Sequence, residues 1–265
     1  MRFMTYNILT GGLDGTDDSR WQLLLNIINE VKPDILVLNE CNHFELNRHH
    51  NLHRMERGTK MRGLFAPANT GFHVALFVKP HILILEHQAT STVHHAMLEA
   101  RLEIESQQVS IVGVHLCPFG GQNRLAEAEL LTRMARQREW VFIAGDMNSI
   151  SPHDAAGCRI GDWAPRRQAR HLLAGTRELD TRAIALLENA GLIDLARRAG
   201  KASTPTALTS LRDEHESYRL RIDYIFGSPL VAQHLQGVEV VNTEMADRAS
   251  DHYPVFADVD LRRGR

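Results

Sequence analysis

Val141-Phe142-Ile143-Ala144-Gly145-Asp146-Met147-Asn148 is the stretch on which the fold turns. Four apolar residues in succession mark a strand buried on both faces, since a half-exposed strand would alternate with polar residues. The glycine ends the run, and an acid and an amide follow at once. A strand anchored in a core delivers the polar groups at its end to the rim of the sheet and holds them there rigidly, which is where sites are built.

Moving outward, the same arrangement recurs. Residues 2–7 read as a strand ending at Asn7, and the apolar run 35–38 ends at Asn39-Glu40. His115 interrupts the apolar run 109–116, Asp223 sits inside the strand-like 220–226, and Asp251-His252 precedes the strand 255–259. Further strands are expected at 74–78, 82–85, 97–104 and 238–241. Helices are expected at 20–31, where Trp21, Leu24, Leu25, Ile28 and Val31 share one face and Pro33 stops the run, at 123–138, and at 181–189, closed by Gly191. Helices interspersed among more numerous strands predict an α+β, layered sandwich. With no internal repeat and no Gly/Ser-rich or Pro-rich linker, one domain over residues 1–265 is the economical organisation.

Taken one at a time, these polar positions have bland explanations: Asn7 as a turn amide, Glu40 as a capping acid, Gly145-Asp146 as a turn pair, His115 as a hydrogen-bonded core imidazole. Turns alone do not account for acids, amides and imidazoles at six strand ends. Oxygen donors without cysteine suit a hard cation, Mg²⁺ or Mn²⁺, and Glu40 and Asp251 supported by Asn7 meet that need. His252 with Asp223 to orient its ring has the form of a general-base or charge-stabilising dyad.

The bulk composition is less specific. The 265 residues carry 30 Lys+Arg against 32 Asp+Glu, a net charge of -2, and 43% are hydrophobic, so neither a polybasic coat nor a disordered acidic chain is in view. Three cysteines are too few for a disulfide framework. No apolar run approaches the ~18 residues of a membrane span, and the opening Met1-Arg2-Phe3-Met4-Thr5-Tyr6-Asn7 does not have the basic-then-apolar pattern of a leader. A soluble, cytoplasmic protein is expected. Two segments, 42–62 and 159–182, each hold a surplus of three positive charges and lack an apolar period. They read either as solvated loops or as a basic rim for phosphate esters. The first also holds four of the 15 histidines.

Six segments, in order, resemble the endonuclease/exonuclease/phosphatase superfamily, the DNase-I-like proteins. They are Thr5-Tyr6-Asn7-Ile8, Leu38-Asn39-Glu40, Val114-His115-Leu116 with Arg124 and Glu127 after it, Gly145-Asp146-Met147-Asn148, Arg221-Ile222-Asp223-Tyr224 and Ser250-Asp251-His252-Tyr253-Pro254-Val255. The resemblance implies a four-layer αββα sandwich of two packed mixed sheets flanked by helices. It implies hydrolysis of a phosphoester with one or two Mg²⁺ or Mn²⁺ ions. Asn7, Glu40 and Asp251 would serve the metal, and Asp146 and Asn148 the attacking water and the phosphate. His252 oriented by Asp223 would act as base or transition-state stabiliser, and His115 would contact phosphate or donate a proton. Arg124 and His73 are expected at the substrate, His73 with the alternative of a simple rim histidine. Position 39 is Asn where many members carry Gln, a change expected to alter packing behind the metal glutamate.

Members of such a superfamily act on different phosphoesters, and core motifs do not choose among them. A nuclease acting on DNA or RNA is the leading expectation; the two basic segments are compatible with it and equally with a small phosphoester if they fold over the site. A small nucleotide or inositol phosphate is the alternative. A catalytically silent binding module is the least favoured, because none of Glu40, Asp146, Asn148, Asp223, Asp251 and His252 has been lost.

Overall fold

A computed structural model of the chain describes residues 1–211 and 219–262. The chain first lays down β1 (Arg2–Asn7), β2 (Ile35–Asn39), β3 (Arg62–Ala66) and β4 (Val74–Val78). It then builds β5 (Leu83–Thr90), β6 (Met97–Ile104), β7 (Gln107–His115), β8 (Val141–Asp146), β9 (Ile193–Asp194) and β10 (Asp223–Gly227), and returns for β11 (Leu235–Val240) and β12 (Val255–Val259). Among the described residues these form two six-stranded sheets, ordered β11-β12-β1-β2-β4-β3 and β5-β6-β7-β8-β10-β9. Both are mixed: β1 runs parallel to β2 and β7 parallel to β8, while the other neighbours are antiparallel.

The continuous apolar runs are explained by burial on both faces. Phe3, Ile35, Val37, Val74 and Leu76 of the first sheet pack against Leu98, Ala100, Ile111, Phe142 and Ile225 of the second. The alternate residues of the first sheet, Met4, Tyr6, Leu36, Leu38 and Phe77, face outward. They are covered by α1 (Ser19–Val31), α2 (Leu46–Thr59) and, near the chain's end, α8 (Glu244–Ala249). On the far side Val112, Val114, Val141, Ile143 and Phe226 meet α3 (Gly121–Ala135) and α5 (Arg182–Asn189). The result is the expected four-layer αββα sandwich. Short helices α4 (Pro165–His171), α6 (Leu195–Arg198) and α7 (Pro229–Gln233) fill the connections. No helix among the described residues is long and apolar enough to cross a membrane.

Three expectations are corrected. Segment 42–62 holds α2, which buries Leu52, Met55 and Thr59. Those few apolar positions among histidines and arginines hid the helix. His43, His49, His50 and His53 stay exposed on this outer layer. Segment 159–182 contains α4, opened by Pro165 at its first turn. The strand expected at 82–85 runs on to Thr90. As an edge strand it pairs with β6 alone and is largely exposed, so its second half, Glu86-His87-Gln88, carries no apolar signal.

Candidate active site

Strand register assembles the first part of the site. His115 on β7 lies opposite Asp146 on β8, and Asp146 lies opposite Asp223 on β10, so three polar side chains stand in one row across three neighbouring strands. In the other sheet Asn7 on β1 pairs with Asn39 on β2. Packing the two sheets face to face brings the rows together at one edge of the sandwich.

Asp146 is the hub. Its Oδ1 accepts the backbone N–H of Asn148 at 2.8 Å, and its Oδ2 accepts the Asn7 amide at 3.2 Å. His115 Nε2 lies 3.5 Å and His252 Nε2 3.8 Å from the same Oδ2. The Asn7 amide also donates to Glu40 Oε1 at 3.1 Å, while Glu40 Oε2 accepts the backbone N–H of Thr10 at 3.0 Å. The Asn7 amide oxygen faces inward, accepting from the Leu9 N–H at 3.1 Å. Asn7, expected at the metal, donates here to both carboxylates and so ties Glu40 to Asp146. Glu40 and Asn148 both adopt left-handed backbone, at φ 59° and 47°, a conformation unusual for a glutamate. Each turns its strand end toward the cavity.

His252 completes the cluster from the other end of the chain. Its Nδ1 is 2.8 Å from Asp223 Oδ2. Burial works against its positive charge, but Asp223 and Asp146 outweigh that and raise its pKa well above the ordinary imidazole value. Asp146 is raised too, first by burial and then by the charges of Asp223 and Glu40, with His252 opposing. Glu40 is raised by burial and by Asp251. His115 is driven the other way: burial and the neighbouring His95, His252 and His94 keep it neutral. The cluster thus holds a charged imidazole, a neutral one and carboxylates primed to take up a proton or a cation.

The donor set fits a hard divalent ion. The charge of Asp251 raises the proton affinity of Glu40, and the groups hydrogen-bonded to Glu40 are an amide and a backbone N–H rather than Lys or Arg. Asp146, Asp223 and His252 also present ligand atoms within 4.8 Å of one another. A His252 held protonated by Asp223 is a poor ligand.

Several supporting residues were not legible beforehand. Asn39 donates to the Val114 carbonyl at 2.7 Å and accepts the Asp146 N–H at 2.9 Å, stitching the two sheets together behind the hub. Thr206 Oγ1 accepts the N–H groups of Ile222 and Asp223, at 3.1 and 3.0 Å. Ser250 Oγ donates to the Asn7 carbonyl at 2.7 Å and accepts the His252 N–H at 3.3 Å, tying the Ser250-Asp251-His252 segment to the first strand. Thr206 lies in a stretch without strand period and offered no signal. Ser250 stood in a quoted motif, but its job required the fold.

Glu40, His115, Asp146, Asn148, Asp251 and His252 open onto one cavity of about 290 Å³. Its remaining walls include Phe72, His95, Phe119, Leu208 and three arginines of α4. His95 is the missed member: its Nδ1 is 2.6 Å from the Thr70 hydroxyl, its ring lies 4.2 Å from that of His115, and burial brings its pKa down to about 4. His73 is not on these walls. Its Nδ1 accepts from the Ala68 N–H, its Nε2 is 2.8 Å from Glu45, and it packs on Phe65. Arg124 is likewise turned inward, donating to the carbonyls of Cys117 and Arg170. One helical turn on, Glu127 accepts the N–H groups of His94 and Cys117. The pair fixes the loops that frame the cavity.

A model of the Endonuclease/Exonuclease/phosphatase family matches residues 4–252. The chain belongs to that family. Enzymes of the Endonuclease/Exonuclease/phosphatase family are hydrolases of phosphoester bonds, and this member carries the same assignment. No curated protein matches it in sequence. Among solved structures, the endonuclease/exonuclease/phosphatase from Bacteroides vulgatus superposes with a TM-score of 0.73 at 17% identity, covering 98% of each chain. The 3′ phosphatase NExo from Neisseria, bound to a product DNA hairpin, gives 0.70 at 19% identity, over 98% of this chain and 99% of its own. Truncated TDP2 from Caenorhabditis elegans gives 0.63 at 17%, over 97% and 95%. At such identities the likeness speaks for the fold.

Proposed function

We propose that the chain hydrolyses a phosphodiester in DNA or RNA with the help of Mg²⁺ or Mn²⁺. The observation that carries this reading is the convergence of Asn7, Asn148, His115 and His252 on the carboxylate of Asp146, beside Glu40 in one cavity. The NExo complex with DNA supports a nucleic-acid substrate by analogy of fold.

Glu40 and Asp251 would hold the cation, which when bound supplies Lewis-acid polarisation of a phosphoryl oxygen. Asp146, with its raised proton affinity, accepts the proton of the attacking water. His252, kept protonated by Asp223, stabilises negative charge building on the phosphoryl oxygens. Between the two roles weighed for it, base or stabiliser, the charge state favours stabiliser. The Asn148 amide donates to the Leu116 carbonyl at 3.0 Å, which fixes it at the cavity wall beside the phosphate. Neutral His115 can donate a hydrogen bond to a phosphoryl or leaving oxygen.

The size of the cavity favours a small nucleotide or inositol phosphate as a second candidate. One panel decides: bis(p-nitrophenyl) phosphate, plasmid DNA, single-stranded DNA, RNA, abasic duplex, inositol phosphates and cyclic dinucleotides, each with Mg²⁺, Mn²⁺ or EDTA. Metal-dependent cleavage of a polynucleotide is the expected result. Turnover of small esters with every nucleic acid left intact would replace the nuclease by the small-substrate enzyme.

A further inference from the structure

One wall of the catalytic cavity is made of rings. His115, 3.5 Å from Asp146 in the hydrolytic row, faces the His95 ring at 4.2 Å with a tilt of 31°. His95 lies 4.6 Å from His94, and His94 meets Phe119 in a T at 5.9 Å. Phe72 joins His95 at 5.3 Å. His115, His95, Phe72 and Phe119 all line the cavity. Three ring-to-ring steps therefore lead from the hydrolytic row to Phe119.

Phe119 stands at the outer end of this wall. Of the large apolar side chains exposed among the described residues it is the most exposed, at 57%, and the aromatic one. Its loop is fixed from behind. Glu127 accepts the Cys117 N–H, Arg124 donates to the Cys117 carbonyl, and the Cys117 thiol donates to the Phe119 carbonyl. Gly120, at φ 82°, then turns the chain into α3. The Arg170 guanidinium lies over the ring at 5.3 Å. A phenyl ring held out at the cavity by an anchored backbone is ready to cover the flat face of a ligand.

His95 adds a second observation. It is buried and neutral, and its Nδ1 is engaged by the Thr70 hydroxyl at 2.6 Å. Its Nε2 has no hydrogen-bond partner among the described residues, and neither has Nδ1 of His115. Unpartnered buried nitrogens on rings that line a cavity point to a ligand whose edge carries donors or acceptors. The rings themselves point to a ligand with a planar π face. A nucleobase has both, whereas an inositol ring has hydroxyls but no face to stack.

We infer that Phe119, with Phe72 and His95, forms a stacking subsite for the nucleobase next to the reacting phosphate. The position of that phosphate rests on the hydrolytic reading above. Calorimetry with Mg²⁺ present would compare adenosine 5′-phosphate and adenosine 3′-phosphate with ribose 5-phosphate, which lacks the base. At least one adenosine phosphate should bind about tenfold more tightly than the sugar phosphate, the contribution of one stacked base. The preference should collapse toward equality in Phe119→Ala and survive in Phe119→Tyr, with the melting temperature unchanged in both because the ring is exposed. Equal binding of both adenosine phosphates and ribose 5-phosphate by the wild-type chain, or a preference untouched by Phe119→Ala, overturns the subsite. Hydrolysis of the ester panel above is measured alongside. A base preference without metal-dependent turnover of any ester removes the hydrolytic reading and keeps the subsite, whereas turnover without the preference does the reverse.

Discussion

The Asn39 side chain accepts the backbone N–H of Asp146 at 2.9 Å, across the interface between the two sheets. With its other end on the Val114 carbonyl, at 2.7 Å, this amide satisfies two buried backbone groups of the second sheet from a strand of the first. The hub of the site is thus held by hydrogen bonds that bypass its own sheet. Asn39→Ala leaves a buried donor and a buried acceptor without partners, which costs about 3 kcal/mol. Urea denaturation should show that loss, together with a fall in kcat from a displaced Asp146. An unchanged midpoint and an unchanged kcat would mean the bridge contributes neither stability nor alignment.

Gly145 makes the approach possible. A Cβ there would lie 1.8 Å from the Val114 carbonyl oxygen and 3.1 Å from Asn39 Oδ1, with φ at 143°. Gly145→Ala should lower stability by more than about 4 kcal/mol, read as loss of soluble folded protein or a steep drop in melting temperature.

Asp146→Ala and His252→Ala should each lower turnover by about 10³-fold or more while the circular dichroism spectrum persists. The effects should be strongly non-additive in the double variant, since the two side chains act on the same phosphoryl group. Residual activity near wild type in both single variants would remove the assigned roles.

EDTA should abolish activity, with recovery on adding Mg²⁺ or Mn²⁺. Glu40→Gln keeps the shape but removes a charge from the cation site, so the metal concentration for half-maximal rate should rise more than about tenfold. A Glu40→Gln enzyme that saturates at the wild-type metal concentration would place the ion elsewhere, among Asp146, Asp223 and His252.

The buried neutral His171 should weaken the fold on acidification. His171 is buried, and burial with the nearby arginines lowers its pKa to about 3, against about 6.5 in the unfolded chain. The unfolded state then binds the extra proton as pH drops, so this contribution is complete above about 6.5 and is lost progressively toward about 3. His95, lowered to about 4, acts in the same direction. From pH 7 to pH 5 the melting temperature of the wild type should fall relative to that of His171→Phe, whatever the opposing contribution of Asp146 and His252, whose proton affinities are raised.

Much of this site was legible because the chemistry sits where apolar runs stop. Glu40, Asp146, Asp251 and His252 each flank a run that burial on both faces makes conspicuous, and they meet in one cavity. The second basic segment did reach that cavity, through Arg166, Arg167 and Arg170, while the first became the outer helix α2. Their charge counts were the same, and only the placement of α4 beside the strand ends tells them apart. His73 and Arg124 misled for a related reason: a polar side chain near a motif can turn toward either the cavity or the backbone behind it. Both turn to the backbone or a flanking acid. Asn39 was visible as a departure, but its bridge exists only once two strands 75 positions apart are packed face to face.

In the first sheet β12 pairs directly with β1, far upstream of it in sequence, and the segment just before β12 brings Asp251 and His252 to the site. During synthesis β1 therefore keeps one edge bare until β12 has been made. Until then the nascent chain has Asp146 and Glu40 but neither the second acid nor the charged imidazole. A chain terminated before residue 251 lacks both Asp251 and His252 and leaves that edge of β1 without its partner strand.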